Sequence, residues 1–232
     1  VWLEFRRVLF RSGSNERIGR IDKKQVPTYP IFLIMLDWLK NINKEYPDFW
    51  QAYLSKFEKK SNRYVVLCTE TSGLNSHKDV ILSMGAFAII NNNIYIGDSF
   101  ETVLLQYKYC HDNGLSNEFI VESKMKKLGE PDAIKAFIDF ICNATLVGHH
   151  VHFDVEMINA ALEKLDCGRL KNEALDIDIM YRKLHDITNK QFSLDELCDI
   201  YKIPKSDRNS SSEDAYKIAL LFLKLKSRLG LN

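Results

Sequence analysis

Apolar residues recur along this chain with two different periods, and the change of period marks its organisation. Over residues 36–60, Trp38, Leu39, Ile42, Phe49, Trp50, Tyr53, Leu54 and Phe57 fall at roughly helical spacing on either side of Pro47. That predicts a broken helical segment whose aromatic stripe is a docking face. From Tyr64 the pattern becomes strand-like. Residues 64–68 read as a buried strand and 80–90 as a second, with Asn91, Asn92 and Asn93 as a hairpin turn into a third over 94–105. Helices and strands then alternate: helix 131–143 with Pro131 in its first turn, strand 144–149, and helix 153–167 with Val155, Ile158, Ala161, Leu162 and Leu165 on one face. A short strand is expected over 175–179, then helices 193–203 and 211–229, each entered through serines that can cap it. Three strands in a meander followed by this alternation predict an α/β domain with a mixed central sheet flanked by helices.

Composition agrees with one domain. The 232 residues are 46% apolar, with ten Gly and five Pro, enough for one sizeable core. No apolar run approaches the roughly 18 residues of a membrane span, so no membrane partner is expected. Five cysteines, at 68, 110, 142, 167 and 198, form no CxxC pair and read as reduced thiols of a cytoplasmic protein. Residues 1–34 stand apart. They lack a clear period, and residues 4–12 resemble the translation of a sequencing-adapter oligonucleotide, so 1–34 is read as a non-native or disordered leader and Met35 as the native start. That leader holds seven Lys/Arg and three Asp/Glu, a net of +4 against +1 for the whole chain, which leaves −3 for residues 35–232. So mildly acidic a chain does not coat nucleic acid electrostatically.

The chemistry-bearing residues fall in three groups. Cys68-Thr69-Glu70-Thr71-Ser72-Gly73-Leu74 follows the first strand. Leu146-Val147-Gly148-His149-His150-Val151-His152-Phe153-Asp154 hands a strand over to a helix. Ser206-Asp207-Arg208-Asn209-Ser210-Ser211-Ser212-Glu213-Asp214-Ala215 opens the last helix, and Ser193-Leu194-Asp195-Glu196-Leu197 precedes it. Taken singly, each acid has a plain reading: Glu70 as a strand-end carboxylate, Asp154 and Asp214 as first-turn acids favoured by the helix dipole. Their shared order has no such explanation. In that order the chain resembles the DEDDh (DnaQ-like) 3′–5′ exonucleases of the ribonuclease H-like superfamily over residues 63–228, nearest to the polymerase III proofreading type.

The resemblance implies a ribonuclease H-like fold over residues 63–229 behind a helical N-terminal extension, 35–62. It implies Mg²⁺ or Mn²⁺ in a two-metal site. Two hard cations about 4 Å apart activate a water and hold the leaving oxygen of a phosphodiester. Glu70, Asp154 and Asp214 match the metal-ligand and catalytic positions, and Cys68 stands where the family has its first Asp. Asn209 stands at the position of the family's general-base His. Leu74 and Phe153 match positions that line the pocket of the terminal base, and both also read as core residues. The implied partner is a nucleic acid 3′ end, DNA before RNA, with a DNA polymerase or nuclease complex as a further partner.

Two departures weaken the implied chemistry. A thiol is a soft ligand and a poor bridge for Mg²⁺, although a thiolate suits Zn²⁺; Cys68 also reads as a plain buried thiol. Asn209 can orient a water but cannot take its proton, a loss worth ~10² to 10⁴ in rate. A third, looser departure is at residues 120–123. His149 and His150 read as hydrogen-bonded structural groups, with His152 as the one that could face a cleft. The expected activity is weak 3′–5′ hydrolysis; the alternative is an inactive binder of a nucleic acid end or a partner.

Overall fold

A computed structural model of the protein describes residues 45–106, 126–204 and 210–231. The expected leader 1–34, the Met35 start with Trp38, Leu39 and Ile42, residues 120–123, Cys110 and Asn209 lie outside the described residues. All the elements fall in the unit Tyr46–Asn232. They are α1 (Asp48–Ser55) with a 3-10 turn (Lys56–Glu58), β1 (Tyr64–Thr71), β2 (Ile81–Ile90), β3 (Asn93–Leu105) and β4 (Lys126–Gly129). Then come α2 (Glu130–Ile141), β5 (Thr145–Gly148), α3 (Val151–Glu163), β6 (Ala174–Asp176), α4 (Ile177–Leu184), α5 (Leu194–Tyr201) and α6 (Ser211–Arg228).

One six-stranded sheet has the order β4-β3-β2-β1-β5-β6. The β1–β2 and β2–β3 pairs are antiparallel; β3–β4, β1–β5 and β5–β6 are parallel. Asn91 and Asn92 turn β2 into β3 with positive φ (50° and 61°), the backbone that a two-residue hairpin requires and Asn tolerates. The pleat of β1 then sorts its side chains. Val65 and Leu67 enter a core shared with α2, α3, Trp50 and Tyr53, whereas Val66 enters a second core shared with α4, α5 and α6. The mixed sheet with helices on both faces is the expected α/β class.

Two sequence expectations are corrected here. Residues 177–179 are not strand: β6 ends at Asp176, whose carboxylate accepts from the backbone N–H of Asp178 (2.9 Å) and Ile179 (3.4 Å) and starts α4. The alternation of Leu175-Asp176-Ile177-Asp178-Ile179 imitates a strand, but Ile177, Met180 and Tyr181 are buried at helical spacing. The strand β4 was not expected, because Lys126-Lys127-Leu128-Gly129 carries no β pattern; its pairing with β3 forms it. The described part of the aromatic stripe packs on the sheet. Trp50 and Tyr53 are buried in the first core, stacked with ring centroids 4.5 Å apart. The Tyr53 hydroxyl donates to Asn172 Oδ1 (2.6 Å) and accepts from the Lys171 N–H (2.8 Å).

Candidate active site

Strand β1 runs on past Val66, the last residue paired with β5. Beyond it the Thr69 N–H has no ladder partner, and Asp154 of α3 takes it: Oδ1 accepts from the Thr69 N–H (2.9 Å) and hydroxyl (2.6 Å). Asp154 is in the first turn of α3, and the entry of that helix is fixed by Asp176, whose Oδ2 accepts from the Val151 N–H (3.0 Å). His150 adopts the left-handed conformation just before it (φ 53°). On the other face of β1, Cys68 pairs with Gly85 and Glu70 with Ser83. A Cβ on Gly85 would stand 2.3 Å from the Ser212 nitrogen. Only a bare backbone there lets the first turn of α6 lie against the sheet. The Ser83 hydroxyl contacts both Glu70 Oε2 (2.6 Å) and the Ser211 hydroxyl (2.9 Å). Ser210 caps α6 at the Glu213 N–H (3.3 Å), and Ser212 donates to Glu101 of β3. Asp214 therefore starts a helix that is fixed to the strand carrying Cys68 and Glu70.

Electrostatics tie the group together. Burial pushes the Cys68 thiol well above its ordinary range, and the fields of Asp154, Asp214 and Glu70 push it further. This environment favours the protonated thiol over the thiolate. Burial also pushes the Asp154 carboxyl up to about 7, although the Thr69 bonds pull against it. Asp214 Oδ1 accepts from the Lys217 ammonium at 2.9 Å. Burial alone would lower the Lys217 pKa, but the Asp214 contact outweighs it and the pKa is raised.

These side chains do not fit the metal pair that the family implies. Among the described residues no three His, Cys, Asp or Glu side chains come close enough together to hold a metal ion. Each carboxylate has a protein donor instead: Thr69 on Asp154, Ser83 on Glu70 and Lys217 on Asp214.

The remaining sequence candidates separate clearly. Leu74 is 87% exposed, so its core reading fails. It sits on a loop laced by Asp79, which accepts from the Ser72 hydroxyl (3.1 Å) and the Asn75 N–H (2.8 Å). Phe153 is half-buried against the first core. His149 meets the Phe192 carbonyl through Nε2 (2.7 Å) and stacks on His150, whereas His152 is exposed. Sequence reasoning passed over Lys217, Ser83 and Gly85. The last two occupy strand positions directly opposite Glu70 and Cys68, a register that the hairpin at Asn91 and Asn92 sets. Lys217, three residues after Asp214, is a charged residue on an apolar helix face, and that was its visible signal.

A family profile described as "Exonuclease", of RNase T type, matches residues 65–222. The DNA polymerase III subunit epsilon of Buchnera aphidicola subsp. Acyrthosiphon pisum (strain APS) is 32% identical over 180 residues, 69% of this chain and 71% of that relative. The same subunit of Buchnera aphidicola subsp. Schizaphis graminum (strain Sg) is 31% identical over 186 residues, 72% of this chain and 76% of the relative. The zinc-bound E. coli ExoI–ssDNA complex is similar in fold, with a TM-score of 0.60 at 15% identity over 73% of this chain. This chain spans 42% of that longer one, and the likeness makes the mixed sheet and its helices ribonuclease H-like. Order of motifs, sheet topology and the match over residues 65–222 agree, and the chain belongs to the DnaQ-like exonuclease family.

Proposed function

We propose that the protein acts on nucleic acid 3′ ends as a 3′–5′ exonuclease whose hydrolysis is slow. The observation carrying this reading is that contacts at the end of β1 bring in one acid from each of three elements: Asp154 bonds Thr69, Glu70 bonds Ser83, and Ser83 bonds Ser211 in the turn that leads to Asp214. The epsilon relatives are subunits of DNA polymerase III, which supports DNA before RNA as substrate, association with a polymerase or nuclease complex, and a cytoplasmic setting. Among the described residues no helix is long and apolar enough to cross a membrane.

Exonucleases of this family generally use divalent metals. Glu70, Asp154 and Asp214 are the residues in the places of its ligands, but no metal-borne step is assigned to them, because Cys68 and the Asp214–Lys217 pair break the donor set. Asn209 stands in the place of a base and cannot act as one. Binding of an end survives these changes better than turnover does. Leu74 is held out to solvent and Phe153 stands beside Asp154, and apolar contact with a base needs no metal. Stacking of a base on an aromatic ring such as that of Phe153 is worth ~1–3 kcal/mol. The second reading, an end-binding protein without turnover, is favoured by a partly buried thiol at Cys68 in the place of the family's first carboxylate.

The test is cleavage of 3′-labelled single strands with Mg²⁺ or Mn²⁺. The expected rate is about a hundredfold or more below that of an intact relative, with a Cys68→Asp, Asn209→His double variant raising it. Digestion by the wild type at an intact relative's rate overturns the slow-enzyme reading. No cleavage by either form, with tight binding of 3′-hydroxyl oligonucleotides that Leu74→Ala weakens, selects the second reading.

A further inference from the structure

We propose that the Lys217 ammonium is a built-in cation of the carboxylate cluster, holding Asp214 where a divalent ion would be held and so weakening the affinity of the cleft for Mg²⁺ and Mn²⁺. The proposal rests on the reading of Asp214 as the family's third-motif carboxylate. Asp214 and Lys217 are three residues apart on α6, a spacing that places both side chains on one face, and Nζ reaches Oδ1 at 2.9 Å. Lys217 is 7% exposed. A buried ammonium keeps its charge only beside an opposite one. Asp214 is its bonded partner; Asp195 and the Cys198 thiol of α5 also act on it, and it acts on Cys68 of β1. Handing Asp214 to a metal would strand that ammonium, buried and beside a second cation.

Cys68 acts in the same sense. With a thiol in the place of the family's first Asp, the three remaining carboxylates and one ammonium leave two formal negative charges in the cleft. Four carboxylates without Lys217 would leave four, the charge that two divalent ions balance. One oxygen of each carboxylate that a metal would bind already has a donor within the chain. Glu70 accepts from Ser83, Asp154 accepts twice from Thr69, and Asp214 accepts from Lys217. The chain's own donors thus compete with a metal for these carboxylates, which carry less negative charge than a metal pair balances.

Mn²⁺ binding to the full chain, followed by calorimetry or by the EPR signal of free Mn²⁺, compares wild type with Lys217→Met, which keeps the apolar stem. The expected result is a gain in affinity of about tenfold or more. Unchanged or weaker binding by a variant that melts cooperatively overturns the proposal. Should the variant fail to fold, reductive methylation of the wild-type chain, read by mass spectrometry with and without Mn²⁺, carries the test. Lys217 is expected to stay protected in both conditions, and labelling that appears with Mn²⁺ overturns the proposal. Binding and cleavage are scored apart. A wild type that binds Mn²⁺ tightly and cleaves removes this inference and keeps the exonuclease reading. A Lys217→Met variant that gains Mn²⁺ while neither form cleaves keeps the inference and removes that reading.

Discussion

At the scale of residues, Asp154 shows how the cleft trades solvation for hydrogen bonds. Its carboxyl is buried, and two Thr69 donors only partly offset the loss of water, so its pKa rises to about 7 from an ordinary 3.8. A carboxyl whose folded-state pKa is raised favours its neutral form in the fold. Its contribution is complete below about pH 4 and is lost as pH climbs through about 7. In metal-free buffer the wild type is therefore expected to lose melting temperature between pH 5 and 8 relative to Asp154→Asn, whose amide oxygen can still accept from Thr69. The gap is of the order of a few kcal/mol, since one pKa unit is about 1.4 kcal/mol. Parallel pH–melting curves for the two proteins would contradict the buried, weakly compensated carboxyl. Residue identities were the most legible part of the site. Glu70, Asp154 and Asp214 could be picked out because a strand end and two helix starts each carry one acid in one family's order. Their partners could not be. Thr69, Ser83 and Lys217 become neighbours of those acids only through the sheet and the docking of α6.

At the scale of elements, the approach of α6 to β2 decides where Asp214 stands. Gly85 faces Cys68 across the β1–β2 pair, and a methyl group there would meet backbone atoms of Ser211 and Ser212 at about 2.3–2.5 Å. Backbone yields less readily than a flexible side chain, so Gly85→Ala must lift the first turn of α6 from the sheet. The expected cost is about 1–3 kcal/mol by urea denaturation, with a larger proportional loss in any cleavage of 3′-labelled strands, because Asp214 moves with the turn. An unchanged midpoint would mean that α6 is not seated on β2. Nothing in the sequence marks Gly85 out from the other glycines, since a glycine inside a strand reads equally well as a bulge. The hairpin was legible for the opposite reason. Three consecutive asparagines between apolar runs leave a turn as the only economical backbone. Charged β4 and alternating residues 175–179 misled because tertiary pairing and the Asp176 cap override the local pattern there.

At the scale of the whole molecule, the exonuclease-like sheet does not close its first core by itself. Trp50 is 1% and Tyr53 3% exposed, and both lie before the first strand, in a segment that the motif order alone would leave outside the domain. Trp50 packs beside Gly168, where a Cβ would come within 3.5 Å of its indole nitrogen. Tyr53 joins the turn at Lys171 and Asn172, and the Asn172 amide in turn donates to the Cys142 and Ala144 carbonyls (2.9 and 2.7 Å). That chain of bonds links α1 to the end of α2 and the start of β5, so burial has pushed the Tyr53 phenol up to about 12 without leaving its oxygen unpaired. If α1 were a detachable arm, Trp50→Ala would alter partner binding and leave stability unchanged. Its burial predicts the reverse: a loss of about 3–5 kcal/mol from the cavity and the lost transfer energy, read as a lowered denaturation midpoint of the whole domain. Tyr53→Phe, which keeps the ring and removes only the hydroxyl, is expected to cost about 0.5–1.5 kcal/mol. A Trp50→Ala protein with an unshifted midpoint would show that α1 belongs to a partner's surface and not to this core.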